Sequence, residues 1–117
     1  MIRALLAAAL PLVLLSSCGE ADLPQRSLQP DDCLRDIRLD QLPQAIARCN
    51  QVVAAFPADP APRNERSVLL ALAGDDAAAC RDIETAQRLV ARAARGSLDK
   101  LLVSEVAMRQ RSCLSQR

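Results

Sequence analysis

Cysteine is the residue type through which this chain could do chemistry, because the sequence contains five cysteines and no histidine. Without histidine, Ser–His and Cys–His catalysis and histidine-ligated metal sites are excluded. The cysteines that follow Cys18 lie far apart along the chain, unlike the paired short spacings of a four-cysteine zinc site. The sequence also lacks the Cys-x-x-Cys pair that a thiol redox catalyst would be expected to have. We therefore expect no catalytic residue, no bound metal and no cofactor.

The segment from Met1 to Cys18 has the pattern of an export signal that ends in a cysteine. Met1 and Arg3 form a short positive start, and residues 4–15 form an apolar run too short to span a bilayer. The run leads into Leu15-Ser16-Ser17-Cys18, which resembles the lipobox of bacterial lipoproteins. The resemblance implies cleavage before Cys18, diacylglycerol on its thiol and acylation of its new amino group, a stable anchor. The alternative is an ordinary secretory signal with an incidental cysteine.

The lipoprotein resemblance divides the chain into three parts. These are a signal peptide at 1–17, a lipidated Cys18 with a flexible polar tether at 18–30, and a helical domain at 31–117. The tether would reach about 20 Å as a coil. The resemblance implies a cell-envelope protein with its body in the periplasm, and Gly19 favours the outer over the inner membrane. Beyond the signal peptide acidic and basic side chains are equal in number, so nucleic acid is not an expected partner.

The body has the composition and periodicity of an all-α fold. Phe56 is the only aromatic residue, so the core must consist of small aliphatic side chains, which suit closely packed helices. Apolar positions at intervals of three and four residues, bounded by Asp, Pro and Gly, predict about five helices. They are expected at about 32–39, 41–56, 60–73, 76–95 and 98–113. The predicted capping residues of the last four are Asp40, Asp59, Asp75 and Ser97.

Two segments of the body match each other in residue character. Ala45, Ile46, Cys49 and Val52 correspond in order to Ala79, Cys80, Ile83 and Ala86. The two segments are offset by 34 residues, which is the period of tetratricopeptide repeats, a family built from helix pairs. The segment 31–95 resembles one and a half to two of these repeats. Gly74-Asp75, Asp82 and Pro57 stand where that motif has its glycine, acid and terminal proline. The resemblance implies a short stack of antiparallel helix hairpins.

The four cysteines of the body are predicted to form two disulfides, because an exported protein reaches an oxidising compartment. In an antiparallel hairpin, residues equidistant from the turn lie side by side. Cys33 and Cys49 are centred on residue 41, and Cys80 and Cys113 on the predicted turn at 96–97. We therefore predict the pairs Cys33–Cys49 and Cys80–Cys113. Each bond is worth on the order of 3 kcal/mol and could replace a missing third repeat.

Two acidic pairs and a row of arginines are the remaining candidate sites. Asp31-Asp32 and Asp75-Asp76 stand at predicted helix starts, where we expect them to act as caps and not as paired catalytic carboxylates. Arg88, Arg92 and Arg95 lie along one edge of a predicted helix. They are expected to form a solvated face and not a partner site.

These features predict a membrane-anchored, non-catalytic envelope lipoprotein whose tetratricopeptide-like body mediates protein–protein interaction or assembly of an envelope complex. The alternative is a purely structural envelope subunit without a specific peptide-binding groove. An exposed apolar groove beside the helices at 41–95 would favour the first function, and a uniformly polar surface the second. A deep pocket with convergent carboxylates would instead indicate a hydrolase acting on envelope polymers.

The anchor and the disulfides predict the intact mass of the protein purified from bacterial membranes. We expect a chain that begins at a lipid-modified Cys18 and gains about four daltons on reduction, because two disulfides open. An unlipidated chain that retains residues 1–17, or a chain with four free thiols, would contradict export and reopen metal binding.

Overall fold

Four α-helices follow one another in the computed structural model, which describes residues 26–117. They are α1 (Leu42–Ala55), α2 (Pro60–Leu72), α3 (Asp76–Arg92) and α4 (Lys100–Ser115), with a 3-10 turn at Leu39–Gln41 before α1. Residues 26–117 contain no β-strand, and none of their helices is long and apolar enough to cross a membrane. The predicted all-α class is confirmed. The predicted signal peptide, Cys18 and residues 19–25 of the predicted tether lie outside the described residues.

The helix predicted at 32–39 is absent, which leaves four α-helices in place of about five. Residues 30–36 form turns, because the carboxylate of Asp32 bonds locally and competes with helical hydrogen bonding. It accepts the backbone N–H of Gln29 at 2.7 Å and Nε of Arg35 at 3.1 Å. Asp36 then adopts a φ of 52°, the left-handed region, which a right-handed helix cannot accommodate.

Carboxylates cap three of the four helices. Asp59 and Asp75 accept backbone N–H groups in the first turns of α2 and α3, as predicted. The cap of α4 is Asp99 and not the predicted Ser97, because Asp99 accepts two backbone N–H groups at 2.7 and 3.2 Å. The hydroxyl of Ser97 instead donates to the carbonyl of Ala94 at 2.6 Å, which closes the turn after α3. The helix therefore starts later than its apolar pattern suggests.

No side chain caps the start of α1. Asp40 does not cap α1. It pairs with Arg38 at 3.2 Å and lies within the 3-10 turn, while Gln41 takes the N-cap position without a side-chain bond.

Gly74 and Gly96 adopt φ values of 83° and 77°, a conformation that favours glycine. These two residues reverse the chain between α2 and α3 and between α3 and α4.

The core lies along one face of α1 and one face of α3. The buried residues at corresponding positions of the sequence repeat are Ala45, Cys49 and Val52 in α1, and Ala79, Ile83 and Ala86 in α3. Leu69 of α2 and Val106 of α4 are also fully buried. The repeat in the sequence is thus a repeat of buried positions. The apolar part of the interior of residues 26–117 consists of small and aliphatic side chains, as the composition requires.

Both predicted disulfides are present. Cys33 and Cys49 are bonded with their Cα atoms 4.6 Å apart, and Cys80 and Cys113 with theirs 5.7 Å apart. The second bond joins α3 to α4 across the turn at Gly96, as the hairpin argument predicts. The first joins α1 to the turns at 30–36 and not to a second helix. The predicted Cys33–Cys49 pair is confirmed, although the helix hairpin from which it was predicted does not form, because residues 30–36 are turns.

A buried ion pair connects α1, α2 and α3. The guanidinium of Arg66 on α2 donates to both carboxylate oxygens of Asp82 on α3, at 2.6 and 2.7 Å. Its third nitrogen, Nη1, donates to the side-chain oxygen of Asn50 on α1 at 3.0 Å. Nη1 of Arg63 also lies 3.6 Å from Asp82. Since Asp82 is only 5% exposed, its charge depends on these arginines in place of water.

Replacing Arg66 tests this pair. The substitution Arg66→Ala leaves the buried carboxylate of Asp82 without its bidentate donor, so we expect the free energy of unfolding to fall by about 3 kcal/mol. Urea denaturation followed by circular dichroism measures the change. The control Arg88→Ala breaks the exposed pair with Glu84 and should cost about 0.5 kcal/mol or less. Equal losses in the two variants would contradict a structural role for the buried pair.

Candidate protein-binding groove

A groove lies between α2 and α4, which both pack against α3. Near one end the two helices are joined by a hydrogen bond of 2.8 Å from Nδ2 of Asn64 to Oε2 of Glu105. Beyond this bond, residues 67–72 of α2 and 109–116 of α4 form opposite walls. The groove therefore runs for about two helical turns from a closed end at Asn64 toward the C-terminal ends of both helices.

The groove has a volume of about 430 Å³ and a largely apolar lining. Ala79 and Ile83 of α3 line it together with the Cys80–Cys113 disulfide. Leu72 lies on the α2 wall and is 53% exposed, which is unusual for a leucine next to a core. An exposed apolar hollow of this size on a small domain is typical of a binding surface.

Arg109 is the basic residue in the lining of this groove. Its Nη1 atom is buried and has no hydrogen-bond partner, and no carboxylate of residues 26–117 lies within 4 Å of its guanidinium. Glu105 stands one helical turn earlier on α4, where it could pair with Arg109, but its Oε2 accepts from Asn64. The groove thus combines largely apolar walls with a guanidinium that forms no ion pair within residues 26–117.

A second hollow of about 410 Å³ lies beside α1, α2 and α3, where the sequence analysis looked for an apolar groove. Its lining includes Asn50, Arg63, Arg66 and Asp82, which bond to one another. This hollow is less apolar than the groove. Arg63 and Arg66 pair with Asp82 inside it, whereas Arg81 in its lining forms no ion pair within residues 26–117. The apolar groove lies one helix further along the chain, between α2, α3 and α4.

The residues singled out from the sequence do not come together in one site. Cys18 lies outside the described residues, and the other four cysteines are held in disulfides. Asp75 caps α3, as expected. Asp32 bonds within a turn and does not cap a helix, since no helix starts there. Within residues 26–117, no group of three His, Cys, Asp or Glu residues is placed to hold a metal ion.

The three arginines of the predicted row face solvent, as predicted, but only two of them lie on α3, because the helix ends at Arg92 and Arg95 lies in the turn after it. Arg88, Arg92 and Arg95 are exposed, and Arg88 pairs with Glu84 at 3.4 Å. The functional candidate that was not predicted from the sequence is Arg109. Its spacing of seven and three residues from Leu102 and Val106 places it on the inward stripe of α4, and that signal could have identified it.

Comparison of the chain with protein-family models, curated proteins and solved structures finds no significant match.

Two acidic residues near the N-terminal turns have opposite electrostatic environments. The backbone N–H of Gln29 holds the pKa of Asp32 below its usual value, and Arg26 and Arg35 contribute in the same direction. Burial raises the pKa of Glu65 to about 6, with further contributions from the charges of Asp31 and Glu105. Asp32 therefore favours folding when it is ionised, whereas Glu65 opposes folding when it is ionised.

The raised pKa of Glu65 predicts a pH-dependent loss of stability. Its contribution is fully present below pH 4.5 and is lost as the pH rises through about 6, because the folded state binds the proton more tightly. The neutral variant Glu65→Gln should therefore be more stable than the original chain at pH 8, by about 1 kcal/mol after allowance for solvent screening. The two proteins should have similar stability at pH 4.

Thermal or urea unfolding at the two pH values measures this effect. Glu84→Gln removes a carboxylate from the exposed face of α3 and is the control. A gain in Glu65→Gln that is the same at pH 4 and pH 8 would contradict a titrating Glu65.

Proposed function

We propose that this chain is a lipid-anchored protein of the bacterial cell envelope whose helical body binds another protein and does not catalyse a reaction. The observation that carries the binding function is the exposed apolar groove between α2 and α4, lined by Leu72, Ile83 and Arg109. A purely structural subunit has no need of such a groove. The alternative of a structural role without a specific binding surface is therefore less well supported.

The surroundings of the groove support a role in binding. The Cys80–Cys113 disulfide holds α4 against α3, so the wall that α4 supplies is covalently positioned before any partner arrives. A preformed site loses less conformational entropy on binding than one that must first be ordered. The absence of histidine from the sequence and the engagement of Cys33, Cys49, Cys80 and Cys113 in disulfides support a non-catalytic function.

The sequence supports the location. The lipobox-like motif ending at Cys18 would place acyl chains on the mature N-terminus, and the intervening residues would let the helical body extend from the membrane. Disulfides are typical of proteins that reach an oxidising compartment, and two of them are formed here. In this proposal the body lies in the periplasm, and Gly19 favours the outer membrane.

Site-specific photo-crosslinking in intact bacteria tests the binding function. A photoreactive residue in place of Ala71 lies in the groove wall, and one in place of Ala91 lies on the exposed side of α3, outside the groove. We expect a protein in the membrane fraction to crosslink at position 71 and not at position 91, because only the first position contacts the partner. Crosslinks of equal yield at both positions, or at neither, would contradict the proposed groove function.

A further inference from the structure

The charge inside the groove identifies the chemistry of its occupant. Arg109 lines the largely apolar groove, and its buried Nη1 makes no hydrogen bond within residues 26–117. A buried donor without a partner is unfavourable, and a charged one more so. A carboxylate brought by a ligand would satisfy this donor with a charge-assisted hydrogen bond, which is stronger than a bond between neutral groups.

No acidic residue among residues 26–117 forms an ion pair with Arg109, so a carboxylate of a ligand can take this place. Glu105 is the carboxylate best placed on α4, but its bond to Asn64 joins the two walls. Asp76 also lines the groove, at the start of α3, and makes no ion pair within 4 Å of Arg109. Arg109 therefore forms an ion pair with neither of these two residues.

The length of the groove limits the size of the occupant. Each wall is about two helical turns long, which corresponds to roughly 10 Å at the rise of an α-helix. Val68 and Leu72 on its α2 wall are exposed enough to contact apolar side chains of an occupant, whereas Ile83 on its floor is only 2% exposed. The rim carries Ser112 and Gln116, whose exposed side chains can bond to peptide groups. This polar rim favours a polypeptide over a fatty acid, whose chain has no groups to use it.

We propose that the groove between α2 and α4 binds a short protein segment with apolar side chains and one carboxylate, and that the carboxylate pairs with Arg109. The apolar side chains pack on Val68 and Leu72. The carboxylate belongs to an aspartate, a glutamate or the C-terminal residue of the partner. This inference rests on the proposed binding function and adds the site and the chemistry of the partner to it.

A peptide selection on the full chain in lipid nanodiscs tests the inference. Short random peptides are displayed and selected for binding, and the affinity of a selected peptide is then compared with that of its counterpart in which the acid is an amide. Two pairs of variants are used. Arg109→Gln removes the groove charge, with Arg111→Gln on the exposed side of α4 as its control. Ala71→Arg fills the groove, with Ala91→Arg as its control.

We expect selected peptides to combine apolar residues with a carboxylate. Conversion of the acid to the amide should weaken binding to the original chain by about tenfold or more, since a charge-assisted bond is lost. Arg109→Gln should abolish this difference between the two peptides, and Arg111→Gln should preserve it. Ala71→Arg should weaken both peptides by at least about tenfold, and Ala91→Arg should weaken neither.

Several results would overturn the inference. If Ala71→Arg abolishes binding but the acid and the amide bind alike, the groove binds a protein segment without a carboxylate, and the proposed function stands. If dodecanoate binds in an Arg109-dependent way and no peptide is selected, the occupant is a fatty acid. If no peptide is selected and no crosslink forms at position 71, both the inference and the proposed function fail.

Discussion

The buried carboxylate of Asp82 is the constraint on which the arrangement of α1, α2 and α3 depends. A negative charge this far from water is tolerated only because Arg66 meets both of its oxygens and Arg63 lies nearby. The guanidinium of Arg66 also donates to Asn50 on α1, so a single side chain of α2 bonds to both α1 and α3. Apolar contacts between small side chains would allow these helices to slide, whereas a bidentate ion pair has one geometry.

The position of α4 has a different origin, and the groove results from it. The disulfide between Cys80 and Cys113 attaches α4 to α3, and the bond between Asn64 and Glu105 joins it to α2 near one end of the groove. Away from that bond, no large side chain of residues 26–117 fills the space between α2 and α4. A chain with a single aromatic residue cannot easily fill such a gap. The crosslink therefore keeps open a hollow that hydrophobic packing alone would tend to close.

Sequence patterns predicted the regular parts of this fold because their causes are local. Helix period and capping carboxylates act over a few residues, and Asp59 and Asp75 cap α2 and α3 as expected. The prediction failed where a local side-chain bond competes with the helix. Asp32 is of a residue type that often caps helices, but its bonds to Gln29 and Arg35 stabilise turns instead.

The sequence by itself determined the helical class, the repeat of buried positions and the Cys80–Cys113 pair, since periodicity and chain reversal at Gly96 restrict which residues can meet. Once that pair is assigned, Cys33 and Cys49 are the two body cysteines left to bond to each other. The tertiary structure alone decided that Arg66 contacts Asp82 and that Arg109 lines a largely apolar groove without forming an ion pair within residues 26–117. Both features depend on how helices distant in sequence are oriented toward one another. That orientation results from the sum of many small packing contacts together with a few buried polar bonds, and no local pattern encodes it.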